Sequence, residues 1–115
     1  MKPALVPSAM IHIVREESVI MDSDLAVLYG VTTSALNQAV ARNRARFPLD
    51  FVFRLTKSEA ELLFRSRSQA VILKRGSNVK YLPNAFTEHG ALMAANVLRS
   101  RRANTVSVEI VRAFI

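Results

Sequence analysis

The sequence contains no cysteine and no tryptophan, and it has only three glycines and two histidines among 115 residues. Without thiols there can be neither a disulfide scaffold nor a thiolate metal centre. With glycine only at positions 30, 76 and 90, there is no glycine-rich phosphate loop. His12 and His89 are far apart in sequence, so no metal is assigned; His89, within Thr87-Glu88-His89-Gly90, reads as a satisfied or surface histidine in the first turn of a helix. Serines and threonines are plentiful, but none has a base beside it, and Asp22 and Asp24 suit the start of a helix. These absences argue against an enzyme and against a cofactor. No apolar run reaches the roughly 18 residues of a membrane span. The N-terminal MKPALVPSAMIHIV carries one lysine and two prolines and makes a poor signal peptide. The expected location is the cytoplasm, away from any membrane.

What is present is a hydrophobic half and an uneven charge. Hydrophobic residues make up 50% of the chain, enough for one domain with its own core. The net charge is +7, and it is concentrated: residues 42–80 hold ten basic and three acidic side chains, whereas residues 1–41 hold two basic and four acidic. Such a block suits a polyanionic partner, or simply a solvated face.

The order of elements predicts an α+β fold. Met10–Val14 and Ser18–Met21 read as a small hairpin joined by Arg15-Glu16-Glu17. Asp22 or Ser23 can cap a helix over Asp24–Tyr29, which ends at Gly30. Thr32 or Thr33 can cap a second helix that runs to about Asn43, and Phe47-Pro48 closes that region. Asp50–Leu55 alternates like a strand, and Thr56-Lys57-Ser58-Glu59 is a capping box for a third helix to about Arg65. Ala70–Leu73 and Val79–Leu82 read as a second hairpin around Lys74-Arg75-Gly76-Ser77-Asn78. Pro83 ends it, and Thr87 can cap a buried helix through Leu98. In the tail, Val106, Ile110 and Phe114 recur at helical spacing; this stripe would serve either a dimer or the core. Residues 1–9 are read as an N-terminal extension, and residues 10–115 as one domain, cut from a longer chain if the natural protein continues past Ile115.

One pair of helices carries the functional signal. A DNA-reading helix-turn-helix needs a small residue where the helices cross, a glycine in the turn and an apolar anchor in the second helix. Ala26, Gly30 and Leu36 match that spacing. Leu36, Ala39 and Val40 should face inward, leaving Thr33, Ser34, Asn37, Gln38, Ala41 and Arg42 outside. Asn and Gln can bridge adenine, Arg can bridge guanine, and a small side chain fits beside a thymine methyl. Arg42, Arg44 and Arg46 lead off the helix end towards phosphates. Lys74 and Arg75 would form the basic tip of a wing laid on the flanking DNA. Phe51 and Phe53 could stack on unpaired bases, although that spacing more often marks core.

Several of these residues also carry a family resemblance. The run Asp24-Leu25-Ala26, Leu28-Tyr29-Gly30-Val31, Leu36-Asn37, Arg42-Asn43, Arg46-Phe47-Pro48, Asp50-Phe51 and Leu55-Thr56 resembles the phage "ORF-six" N-terminal domain, a relative of the KilA N-terminal domain. Lys74-Arg75-Gly76, Lys80-Tyr81-Leu82-Pro83, Ala85-Phe86-Thr87-Glu88-His89-Gly90 and Val111-Arg112-Ala113-Phe114 extend the similarity over about residues 10–115. The resemblance implies a small α+β DNA-binding domain of phages and prophage-bearing bacteria, often placed ahead of a variable second domain, and in some members part of an antirepressor or regulator. Double-stranded DNA is then the expected partner. The alternative is a protein-interaction module that binds a phage repressor or itself as a homodimer.

Overall fold

A computed structural model of the chain describes residues 6–66 and 82–115. The second hairpin expected around Lys74 and Arg75 lies outside the described residues, as does any wing it would form. The rest is a mixed α+β domain of five α-helices and a four-stranded antiparallel sheet, with two short 3-10 turns. In chain order these are β1 (Ile11–Val14), β2 (Glu17–Met21), α1 (Asp22–Tyr29), α2 (Thr33–Arg42), β3 (Val52–Arg54), α3 (Lys57–Ser66), β4 (Asn84–Phe86), α4 (Glu88–Leu98) and α5 (Arg101–Phe114).

The sheet runs β1-β2-β4-β3, with every neighbouring pair antiparallel. Its two faces are both covered. Ile20, Val52 and Phe86 point to the larger core, which they share with α1, α2, α4 and α5; Val19, Met21, Phe53 and Ala85 point to a smaller core, which α3 closes with Ala60. A strand buried on both sides reads as an apolar run rather than as a polar–apolar alternation, which is why Val19-Ile20-Met21 stands out in the sequence. Val6, in the segment read as an extension, is buried in the larger core.

The capping box holds in full. The Thr56 N–H donates to Glu59 Oε1 at 2.8 Å and the Glu59 N–H donates to Thr56 Oγ1 at 3.2 Å. The first hairpin turns more tightly than expected. Val14 pairs with Glu17, so only Arg15 and Glu16 form the loop, both with positive φ (56° and 65°). That is the type I′ geometry favoured by strand twist, in which glycine or asparagine is the usual choice. Arg15 gains compensation through its side chain. Its guanidinium donates twice to Glu59, at 2.8 Å and 3.0 Å, and lies 4.3 Å over the Phe53 ring.

The tail is helical, and its stripe belongs to the core: Val106 and Ile110 are buried, and Phe114 packs partly against them. Of the two uses read for the stripe, Val106 and Ile110 take the core. β4 was not expected. Three residues between Pro83 and Thr87 carry no measurable period, yet they form an inner strand of the sheet.

Candidate nucleic-acid interface

The helix pair is assembled as its spacing predicts. Leu25, Ala26, Leu28 and Tyr29 of α1 are buried, as are Leu36 and Val40 of α2. Gly30 takes φ 74°, and the Val31 N–H returns to the Ala26 carbonyl at 3.0 Å, closing α1 with a left-handed cap. Thr32 caps α2, its Oγ1 accepting from the Ala35 N–H at 3.0 Å. Tyr29 locks the pair to α4 by donating its hydroxyl to the Ala91 carbonyl at 2.7 Å, and burial pushes the phenol pKa well above its ordinary value.

The start of α1 differs from expectation. The helix begins at Asp22, and its N-cap is Met21, which offers no side-chain bond. Asp22 is buried and faces α2 instead of capping. Its Oδ2 accepts from Asn37 Nδ2 at 3.0 Å and from the Asn84 backbone N–H at 3.1 Å, while Asn84 Nδ2 donates to Asn37 Oδ1 at 3.0 Å. Both ends of the Asn37 amide are therefore engaged within the protein, tying α2 to α1 and to the sheet. Asn37 anchors the helix from within the fold.

The remaining outer face of α2 is open. Ser34, Gln38, Ala41 and Arg42 are exposed and Thr33 is half-buried. With Ser23 and Asn37, the first three and Thr33 line an open concavity of about 510 Å3. Asn43 ends α2 by donating its side chain back to the Ala39 carbonyl at 2.8 Å. A single 3-10 turn, Arg44–Arg46, follows, and buried Phe47 pins its far end. Arg42, Arg44 and Arg46 are all exposed. Arg42 and Arg44 have no side-chain partner among the described residues. Arg46 donates Nη1 to Asn96 Oδ1 of α4 at 2.8 Å, which sets its direction. Lys74 and Arg75 lie outside the described residues.

Elsewhere, Phe53 is buried in the smaller core, and the half-buried Phe51 ring stacks on exposed His89 with centroids 5.6 Å apart. A two-aromatic platform for unpaired bases is thus not formed. Among the described residues no group of three or more His, Asp or Glu could hold a metal ion, and no helix is long and apolar enough to cross a membrane.

The ORF6N domain model matches residues 9–97, most of the chain, including the helix pair, the Arg44–Arg46 turn and all four strands. The chain belongs to the ORF6N domain family. This is a phage-associated family, in agreement with the resemblance that the sequence motifs carry. No curated protein and no solved structure matches the chain.

Sequence reasoning overlooked Arg102, whose Nε donates to the Leu28 carbonyl at 3.0 Å and whose stem lies against Gly30. The side chain satisfies a carbonyl at the end of α1 from another helix, a partnership that no local spacing announces. It also overlooked the Asp22–Asn37–Asn84 network, because Asp22 and Asn84 are separated by most of the domain.

Proposed function

We propose that this ORF6N domain is a duplex-DNA-binding module of a phage or prophage regulator, working in the bacterial cytoplasm as a binding protein rather than a catalyst. The observation that carries the reading is the outer face of α2. Its inner side is held by Leu36, Val40 and Asn37, whereas Ser34, Gln38, Ala41 and Arg42 stand exposed beside the open concavity and run directly into Arg44. In this reading α2 enters the major groove, Gln38 reaches base edges, and Arg42, Arg44 and Arg46 neutralise phosphates. Thr33 and Ser34, at the helix start, approach the backbone.

The test is binding of the chain to duplex DNA across a salt series. Replacing Arg42 and Arg44 together by alanine should weaken binding and reduce the slope of log K against log salt by about 2. An unchanged slope would remove these arginines from the interface. Lack of any retention on DNA or heparin, together with a stable complex with a phage repressor, would replace this reading with the protein-interaction one.

A further inference from the structure

The joint between α4 and α5 is built against its own local preferences. Arg99 ends α4 at φ 55° and ψ 30°, a left-handed conformation in which glycine or asparagine is the usual residue. Ser100 caps α5, accepting from the Ala103 N–H at 2.9 Å, and Arg101 and Arg102 fill the first turn with no acidic residue among them. A helix N-terminus carries partial positive charge and disfavours cations. Arg102 has a structural reason to be there, since it covers Gly30 and satisfies Leu28. Arg99 and Arg101 have none: both are exposed, and among the described residues neither side chain has a hydrogen-bond or ion-pair partner. Cations kept where stability would choose other residues point to a use outside the fold.

Their position suggests that use. Residues 96–102 are tied to both ends of α2. Asn96 accepts from Arg46, just beyond the end of α2, and Arg102 reaches Leu28 and Gly30, just before its start. In the chain Arg99 and Arg101 fall between these two ties, which mark the two ends of a helix about 15 Å long. The other end of α4 has the opposite sign, with Glu17, Asp50 and Glu88 around a concavity of about 370 Å3. Its eleven residues separate the two ends by about 16 Å, roughly twice the Debye length at physiological salt, so a polyanion would be turned towards the arginine end.

We infer that Arg99 and Arg101 form a second phosphate-binding group that grips the DNA backbone beside the one led by Arg42 and Arg44, with Asn96 positioning Arg46 between them. This rests on the duplex-binding reading above. The test is fluorescence anisotropy of a mixed-sequence duplex with Arg99→Gly, Arg101→Gln and the double variant, next to the Arg42→Ala, Arg44→Ala pair. Arg99→Gly suits the left-handed backbone and Arg101→Gln removes a cation from a helix start, so melting temperatures should hold or rise. The double variant should nevertheless bind roughly tenfold more weakly at low salt, with a salt slope reduced by about 2. Unchanged affinity and slope in the double variant, while the Arg42 and Arg44 pair weakens binding, would overturn this inference and leave the duplex reading standing. If the unaltered chain shows no salt-dependent binding at all, the duplex reading itself fails and this one falls with it.

Discussion

The side chains of Asp22 and Asn37 are hydrogen-bonded at 3.0 Å, and the bond joins the first turn of α1 to the middle of α2. Asn84 closes the triangle from the sheet through both its backbone and its side chain. Asn37→Ala removes a donor from a carboxylate that is only 1% exposed and should cost about 1–3 kcal/mol. Gln38→Ala, one residue on and fully outside, should stay within about 0.5 kcal/mol while altering base preference in a selection from random duplexes. Thermal denaturation of the two variants checks the division of roles; equal losses would show that it is wrong.

The β1–β2 turn offers a stabilising change. Arg15 and Glu16 both hold positive φ, but among the described residues only Arg15 has side-chain contacts that offset the strain, through Glu59 and Phe53. Glu16→Gly should therefore raise stability by about 0.5–1 kcal/mol, the relief of a left-handed side chain outweighing the added freedom of the unfolded chain. Arg15→Gly relieves the same kind of strain, yet it loses the ion pair and the ring contact, so it should lower the melting temperature. Opposite signs at adjacent residues are the result to look for in paired melts.

Glu59 links that turn to α3 and gives it a pH dependence. Bidentate hydrogen bonding from Arg15 is the main cause that lowers its carboxyl from an ordinary 4.5 to about 2, with help from the Thr56 N–H. The depressed group contributes stability that is fully present above 4.5 and is lost as pH falls towards 2. The stability difference between the parent chain and Glu59→Gln should shrink across that window. NMR titration of Glu59 in Arg15→Gln should return its pKa towards the ordinary value; an unmoved pKa would assign the depression to the capping box instead.

Features set by residues close in sequence were legible: the Thr56–Glu59 capping box, the Gly30 cap, the Thr87 cap, a cap at Thr32 or Thr33 of which the fold uses Thr32, and the inward pairing of Leu36 with Val40. The exposure of the candidate face was legible for the same reason, since a helix exposes its outer side by period alone, and Arg42 and Arg44 follow from chain order. What escaped depends on distant partners. Asn37 looks like any outer-face amide until Asp22 and Asn84 are brought to it. Arg46 looks like its neighbours until Asn96 takes its Nη1. β4 is three residues long, and only β2 and β3 on either side make it a strand. The type I′ turn was hidden because Arg15 and Glu16 are not the residues that geometry prefers; the ion-pair partner that holds Arg15 lies 44 positions away.

Gly90 is the remaining glycine in the described fold whose replacement has a definite cost. It sits in the first turn of α4, where its N–H donates to capping Thr87 Oγ1 at 3.3 Å. The same threonine is bound to the end of the loop that leads into β3: its N–H donates to the Phe51 carbonyl at 3.0 Å and its hydroxyl lies 3.2 Å from that oxygen. The helix start is thereby pressed onto the Phe51 backbone, and a β-carbon at position 90 would run into the Phe51 carbonyl oxygen. Because the obstacle is backbone, no side chain can swing aside. Gly90→Ala should cost about 1–3 kcal/mol through overpacking, even though alanine is the better helix former by about 1 kcal/mol. Urea denaturation decides between the two effects: a lowered midpoint shows that the close approach dominates, whereas a raised one would mean that α4 can slide away from Phe51 at little cost.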